Sequence, residues 1–225
     1  MFARIYRHQE VLFVNKENKI FSKEFPDIAL RVIPGHFMTS HSHITNYVDM
    51  TMMKNRRSEA HAVAKAIASK YSANTIVDTI VCMDGCEVIG AYLADELISA
   101  GIMCMNSHQT IYVTSPELNA TGQIIFRQNY LPMIEGKNIL LLLASTTTGK
   151  TLMKSLNCIQ YYKGNVSGIT SIFSAVTKVA NIPVNSLFTT SDLPDYRFYE
   201  PEDCPLCQKG EVIEAIVNGY GYSTF

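Results

Sequence analysis

The stretch over residues 138–151, NILLLLASTTTGKT, decides the fold that the sequence predicts. Residues 139–143 form a run of apolar side chains that is too short to cross a membrane, and they indicate a central strand buried on both faces. Hydroxyl side chains follow, Gly149 frees the backbone, and a helical pattern resumes at Leu152. Such a loop directs backbone N–H groups and the helix dipole at one point, and we therefore predict a phosphate site.

The predicted phosphate-binding residues lie between the end of this strand and the first turn of the helix. They are Ser145, Thr146, Thr147, Thr148, Gly149, Lys150 and Thr151. A plain strand-to-helix turn with N-capping threonines is the simpler interpretation of the same residues. The coincidence of hydroxyls, a glycine and a lysine favours phosphate binding.

One family of phosphate loops fits the stretch in its relaxed form. Ala144-x-x-x-x-Gly149-Lys150-Thr151 resembles the P-loop of nucleotide hydrolases, in which the lysine reaches the outer phosphates and the threonine holds magnesium. The strict pattern has glycine where Ala144 stands, and no later apolar strand ends in the aspartate that completes the magnesium site. A P-loop hydrolase is therefore kept as an alternative.

A second family fits the threonines better. The stretch resembles the phosphoribosyl-pyrophosphate loop of type I phosphoribosyltransferases, in which four apolar residues, two acids and two variable residues precede Thr-Thr-Gly-x-Thr. Thr147, Thr148, Gly149 and Thr151 match this pattern. Leu143 and Ala144 stand in the places of the two acids.

Composition and charge describe a globular protein. The 225 residues, of which 47% are hydrophobic and 17% charged, allow a substantial core, and the formal net charge of −1 leaves no basic surplus for nucleic acid. No apolar run reaches the ~20 residues of a membrane helix, and the N-terminus lacks a secretory signal pattern. We expect a cytoplasmic protein without nucleic-acid or membrane partners, whose six cysteines are reduced.

Strands and helices alternate along the middle of the chain. The patterns predict helix 54–71, strand 79–83, a turn at Asp84-Gly85, a helix ending at Gly101, strands 102–105 and 110–113, a hairpin partner from Ile124, helix 152–162, and strands 166–174 and 184–188. This alternation predicts an α/β fold with a mostly parallel central sheet flanked by helices. Parallel strands would bring Asp84-Gly85 and the phosphate loop to one edge.

The order of these pieces over residues 34–210 is similar to that of orotate phosphoribosyltransferase. The similar pieces are Gly35-His36-Phe37 with Tyr47-Val48-Asp49, the strand, turn and helix at 78–97, the segment from Glu117 and Gly122 into the central strand, residues 163–169, and Cys204-Pro205-Leu206-Cys207. The resemblance implies an N-terminal hood over residues 1–50, a core domain over 51–200 with a flexible hairpin loop, and a tail over 201–225.

The resemblance also implies a reaction, a cofactor and an oligomeric state. It implies pentosyl transfer from phosphoribosyl pyrophosphate to a nucleobase such as orotate, magnesium as the cofactor that carries the pyrophosphate, and a homodimer with loops shared between subunits. Asp84 and Gly85 become the candidate pyrophosphate loop. Lys150, where the family has a small residue, adds a charge beside the bound phosphate.

Several features depart from the family pattern. The segment TSPELNATG at 114–122 contains no lysine, arginine or histidine, although a basic loop there neutralises the leaving pyrophosphate. Asp84 and Glu87 add negative charge at the pyrophosphate turn. The sequence assigns no catalytic residue, and Arg56, Arg57 and Arg127 are candidates to replace the lost cation. A catalytically silent protein of this fold that binds a nucleotide or sugar phosphate is the main alternative.

Histidines and cysteines are candidate metal ligands. The group His36, His41 and His43 lacks helical i, i+4 spacing and indicates a polar loop, and the Cys204/Cys207 pair supplies half a zinc site. Cys82 and Cys86 complete that site only if the tail folds back. The sequence analysis therefore assigns no metal ligand.

Overall fold

The computed structural model describes residues 17–71, 73, 75–99, 105–106, 110–120 and 122–225. The strands are β1 (Asn18–Phe21), β2 (Ala29–Met38), β3 (His43–Asp49), β4 (Thr79–Cys82), β5 (Tyr112–Thr114), β6 (Glu117–Leu118), β7 (Ile124–Ile125), β8 (Asn138–Thr146), β9 (Asn165–Ser174), β10 (Lys178–Val179), β11 (Ile182–Thr189), β12 (Phe198–Tyr199), β13 (Ala215–Asn218) and β14 (Gly221–Thr224). The α-helices are α1 (Thr51–Asn55), α2 (Arg57–Ala68), α3 (Glu87–Ser99), α4 (Lys150–Tyr161) and α5 (Pro205–Gln208), and 3-10 helices span Gln128–Met133 and Pro201–Asp203.

The chain divides into two compact units. Met52–Thr189 forms the core unit, and the described residues up to Thr51 form the hood unit together with Thr190–Phe225. The sequence predicts separate segments over residues 1–50 and 201–225, and strand pairing joins the described parts of these segments in one sheet. Residues 1–16, the first part of the predicted hood, lie outside the described residues.

The core unit contains the predicted parallel sheet. Its strand order is β10-β11-β9-β8-β4-β5, and every neighbouring pair is parallel except β10 with β11. β8 lies between β9 and β4, and the side chains from Ile139 to Ala144 are at most 2% exposed. A strand with neighbours on both sides and helices on its faces has no polar side, which explains the continuous apolar run. The predicted α/β fold class is confirmed.

Helix α2 shows how the core unit buries one face of a helix. Ala60, Val63, Ala64 and Ile67 form its predicted apolar stripe, and all four are at most 1% exposed. The single helix predicted over residues 54–71 is divided, because Arg56 adopts an extended backbone with φ −87° and ψ 120°. The short helix α1 before the break carries Lys54 separately from α2.

The hairpin predicted next to the polar loop is present but short. β6 and β7 pair antiparallel, with Glu117 opposite Ile125 and Leu118 opposite Ile124. The remainder of the predicted partner strand forms the 3-10 helix Gln128–Met133, which contains Pro132. The predicted strand over 102–105 and helix end at Gly101 lie largely outside the described residues.

The hood unit is a mostly antiparallel sheet built from both parts of the chain. Its order is β12-β3-β2-β13-β14, and β1 pairs with the first half of β2. β13 runs parallel to the second half of β2 and alternates buried and exposed residues, the pattern of a strand with one solvated face. Strands from the C-terminal segment thus flank the β2–β3 hairpin on both sides. Within the described parts of the chain, no helix has the length and apolar character needed to cross a membrane.

Candidate phosphate-binding site

The predicted phosphate loop connects β8 to α4 in the core unit. Ser145 and Thr146 belong to the end of the strand, where the Thr146 carbonyl accepts the Ala175 N–H at 2.8 Å, so the loop itself is residues 147–149. Gly149 precedes the first residue of α4 with φ 77°, and its carbonyl accepts the Met153 N–H at 2.8 Å. The helix therefore begins directly after Gly149, and Thr151 lies in its first turn.

Glycine is required at position 149 for two reasons. A φ of 77° lies in the left-handed region, which is energetically unfavourable for any residue that carries a side chain. A Cβ built at this position would also lie 2.9 Å from Cγ2 of Val179, closer than real side chains approach. The Lys150 N–H lies 3.4 Å from Oγ1 of Thr148, and the Lys150 side chain is exposed. Backbone amides, hydroxyls and one cation thus meet at the start of α4.

The turn at Asp84-Gly85 follows the neighbouring strand. β4 and β8 are parallel, with Cys82 beside Leu142, so the turn after β4 and the loop after β8 lie at the same edge of the sheet, as predicted. Asp84 has φ 57° and Gly85 has φ 76°. Aspartate tolerates the left-handed region better than most residues, which suits it to this turn.

The Asp84 side chain is held close to β8. The Ala144 N–H donates to the Asp84 carboxylate, and Nζ of Lys54 donates to the Asp84 carbonyl at 2.9 Å. Burial raises the pKa of Asp84, and the charge of Lys54 and the Ala144 hydrogen bond oppose that rise, while Glu87 adds to it. A carboxylate therefore lies beside the backbone of the residue that replaces an acid of the family pattern.

Lys54 is a residue of this site that the sequence analysis missed. Its side chain is buried at 4% exposure, although lysine is almost never buried without a partner. The helical pattern grouped Lys54 with the solvent-facing cations of helix 54–71. No spacing in the sequence distinguished it from them.

The three arginines considered as replacement cations have partners of their own. Arg127 donates from Nε and Nη2 to both carboxylate oxygens of Glu117 at 2.7 and 2.6 Å, which lowers the pKa of Glu117. Arg56 pairs with Glu59 at 3.3 Å, and the Arg57 guanidinium lies 5.9 Å from the centre of the Tyr92 ring. These contacts do not direct the arginines toward the phosphate loop.

Four residues weighed separately in the sequence come together in the hood unit. The ligand atoms of His36, His43, Cys204 and Cys207 all lie within 4.8 Å of one another. His41 does not belong to this group. The Cys82 and Cys86 thiols are buried in the core unit, where burial raises their pKa. The two halves of a metal-ligand pattern therefore meet without Cys82 or Cys86.

Comparison with known proteins finds similarity to phosphoribosyltransferases. No family model matches the chain. The orotate phosphoribosyltransferase of Thermoanaerobacter sp. (strain X514) is 25% identical over 179 residues, which cover 78% of this chain and 85% of the relative.

Solved structures share the fold at lower identity. A phosphoribosyltransferase from Corynebacterium diphtheriae superposes with a TM-score of 0.51 and 14% identity over 72% of this chain and 90% of that chain. UMP synthase from Leishmania donovani gives a TM-score of 0.52 and 14% identity over 80% of this chain and 36% of that chain. These matches do not favour the P-loop hydrolase alternative. The chain is therefore similar in sequence to an orotate phosphoribosyltransferase and shares the fold of a solved phosphoribosyltransferase.

Proposed function

We propose that this protein transfers a phosphoribosyl group from phosphoribosyl pyrophosphate to a nucleobase such as orotate. The observation that carries the proposal is the meeting, at one edge of the parallel sheet, of the loop before α4 and the carboxylate of Asp84. A cytoplasmic homodimer is part of the same proposal, supported by the family resemblance.

The loop supplies the groups that a 5′-phosphate needs. Left-handed Gly149 lets the chain turn sharply from β8 into α4, and the first amides of a helix carry partial positive charge. The hydroxyls of Thr147, Thr148 and Thr151 add donors, and exposed Lys150 adds a full charge. The 5′-phosphate would bind residues 145–151 through these groups.

Asp84 is the candidate to replace the missing ribose-binding acids. The buried side chains of Leu143 and Ala144, which are 1% and 2% exposed, accept no hydrogen bond from ribose hydroxyls. The Asp84 carboxylate accepts a hydrogen bond from the Ala144 N–H, and this bond and the charge of Lys54 oppose the rise in the pKa of Asp84 that burial causes. An ionised carboxylate there would accept hydrogen bonds from the ribose hydroxyls. It would also stabilise the positive charge that develops on the sugar as pyrophosphate leaves.

Magnesium fits the donors at the pyrophosphate turn. Asp84 and Glu87 supply carboxylate oxygens, and magnesium is commonly held by one or two carboxylates together with substrate phosphates. Magnesium, when bound, would neutralise charge on the pyrophosphate. Lys54, from the short helix α1, would hold the turn in position through the Asp84 carbonyl.

The test is calorimetric titration of the wild-type protein, purified without phosphate, with phosphoribosyl pyrophosphate and magnesium beside ribose 5-phosphate and a nucleoside 5′-monophosphate. We expect the pyrophosphate donor to bind more tightly than ribose 5-phosphate, and a screen of bases to release pyrophosphate. Equal or weaker binding of the pyrophosphate donor would contradict the transfer reaction.

Asp84→Asn provides the matching variant, because asparagine keeps the shape of the side chain and also tolerates the left-handed region. Loss of the charge is expected to weaken binding of phosphoribosyl pyrophosphate about tenfold, the loss of roughly one charge-assisted hydrogen bond. Asp78→Asn is the control. Asp78 accepts the backbone N–H of Asn138 at 2.7 Å at the opposite end of the same two strands, and this variant should bind as the wild type does.

A silent phosphate-binding protein is the second candidate. It is supported by the absence of a cation from residues 114–122 and by the pairing of nearby Arg127 with Glu117. Under this alternative the monophosphates bind, the pyrophosphate donor has no advantage, and no base releases pyrophosphate. Lys150→Ala weakens phosphate binding under both candidates, so it does not separate them.

A further inference from the structure

We propose that His36, His43, Cys204 and Cys207 bind one zinc ion that links the C-terminal segment to the β2–β3 hairpin of the hood unit. The inference goes beyond the proposed function, because these residues lie in the hood unit and none of them belongs to the phosphate site. His36, His43 and Cys204 are buried at 3%, 5% and 0% exposure, and Cys207 closes the group from the exposed side.

The distances match the edges of a zinc tetrahedron. Zinc bonds of about 2.3 Å to sulfur and about 2.0–2.1 Å to nitrogen give ligand separations of roughly 3.4 Å between two nitrogens and roughly 3.6 Å between nitrogen and sulfur. Nε2 of His36 lies 3.2 Å from Nδ1 of His43, 3.5 Å from Sγ of Cys204 and 3.6 Å from Sγ of Cys207. Sγ of Cys207 lies 3.2 Å from Nδ1 of His43. The group therefore surrounds a space of the size of one ion.

The chemistry of the donors selects the metal. Two thiols and two imidazoles form the Cys₂His₂ set of structural zinc sites, whereas magnesium and calcium take oxygen ligands. A structural zinc site has four protein ligands and leaves no position for substrate. The site is therefore expected to stabilise the fold and to take no part in the transfer reaction.

Hydrogen bonds around the group orient its ligands. Nδ1 of His36 lies 3.1 Å from the Glu211 carbonyl, which requires a proton on that nitrogen and leaves Nε2 to bind metal. Partners of this kind are typical of metal-binding histidines.

The turn that carries the cysteines is also ordered by the backbone. The Cys204 carbonyl accepts the Gln208 N–H at 3.1 Å, and the Cys207 carbonyl accepts the Gly210 N–H at 2.9 Å. Gly210 has φ 77°, which turns the chain back after the second cysteine. Both thiols are thereby directed from one tight turn toward the two histidines.

The position of the group explains what a metal would do. β12 pairs with β3 and β13 pairs with β2, so the segment between them crosses from one side of the hairpin to the other. This crossing, residues 200–214, contains both cysteines, while the hairpin contains both histidines. A small sheet gains stability from a cross-link of this kind because its own apolar core is limited.

Metal analysis of the full chain, grown with added zinc, provides the first measurement. We expect about one zinc per chain. Replacement of zinc by cobalt(II) should give the absorption bands of tetrahedral cobalt with two thiolate ligands. Wild-type protein with less than about a tenth of an equivalent of zinc and no such bands after cobalt addition would overturn the proposal, as would a Cys204–Cys207 disulfide found by mass spectrometry under non-reducing conditions.

The variant Cys207→Ser tests the assignment at the exposed ligand, where the side chain contributes least to packing. It should lose most of the zinc and the two-thiolate cobalt spectrum. Cys158→Ser is the matched control in the core unit, where the Cys158 thiol donates to the Ile124 carbonyl at 3.2 Å, and it should retain both. Equal metal content in the two variants would contradict the proposed ligand set.

Discussion

The core unit and the hood unit of this protein are stabilised in different ways. At the centre of the core unit, β8 presents Ile139 to Ala144 to neighbours on both sides, and none of these side chains is more than 2% exposed. At the centre of the hood unit, two buried histidines and a buried cysteine lie together. The first arrangement depends on apolar area removed from water, and the second depends on how polar atoms are satisfied.

The two units should therefore be destabilised by different kinds of substitution. A parallel sheet with an apolar interior is damaged by lost volume, because the surrounding residues relax only partly into a cavity. A cluster of buried imidazoles and thiols is damaged by lost partners, because an unsatisfied polar group in an apolar environment costs free energy. Four experiments follow from the comparison.

The largest effect is expected for Leu141→Ala in β8. The Leu141 side chain is fully buried in the core unit, so its truncation should reduce the free energy of unfolding by about 2–5 kcal/mol. Urea titration followed by circular dichroism measures the change. Leu118→Ala, at a position 61% exposed in the β6–β7 hairpin, is the control and should change stability by less than about 0.5 kcal/mol. Similar losses in both variants would contradict the contrast.

Under the proposed zinc site, a chelator should change hydrogen exchange in the hood unit and leave the core unit unaffected. Removal of the metal is expected to raise amide hydrogen exchange at least about tenfold in β2, β3 and β13, because local opening no longer breaks metal bonds. Exchange in β8 should stay unchanged. Mass spectrometry of peptic fragments measures both regions in one sample. A uniform rise in exchange across both units would contradict a metal that stabilises the hood unit alone.

Gly149→Ala and Gly122→Ala compare two left-handed glycines. Their φ values are 77° and 74°, so both variants incur a backbone cost of about 1 kcal/mol. At position 149 the added Cβ also approaches Val179, whereas at 122 it meets no atom within 4 Å. Thermal unfolding should therefore show the larger loss for Gly149→Ala, and calorimetry should show weaker phosphate binding for that variant alone. Equal phosphate affinities in the two variants would argue against the loop as the binding site.

The smallest effect is expected for Arg127→Gln at the base of the β6–β7 hairpin. The paired guanidinium lowers the pKa of Glu117, so the pair contributes stability above the ordinary carboxyl pKa and loses it as the pH falls through the lowered value. Both groups are exposed, and solvent screening keeps the contribution to folding small. NMR titration should show the Glu117 pKa rising in the variant, with no measurable change in the unfolding midpoint. An unchanged pKa would contradict the pairing.

The sequence predicted the core unit well because its signals are local. The apolar run before residues 145–151 identified the central strand, and the change to hydroxyls and glycine identified the turn into α4. The alternation of strands and helices predicted parallel strands, and the parallel pairing of β4 with β8 places Asp84 and the loop at one edge, as expected. The role of these residues in phosphate binding stays a prediction.

Most of the contacts that the sequence did not predict join residues that are far apart along the chain. His36 and Cys204 are separated by 168 positions, so no spacing in the sequence connects the two halves of their cluster. Lys54 and the Asp84 carbonyl are 30 positions apart and belong to different elements. No helix-breaking residue in the sequence predicts the extended backbone of Arg56, which divides the predicted helix. Only the folded chain brings such groups into contact.

The composition of the hood unit from two distant segments affects how the protein can be made. During synthesis, β2 and β3 leave the ribosome before the core unit, while β13, which pairs with Phe37 and Met38, follows after it. Until then the nascent hairpin has unpaired strand edges, which are sites of association between chains. A chain that stops before residue 200 would keep both histidines without their cysteine partners. The hood sheet would therefore be completed only after the core unit has been synthesised.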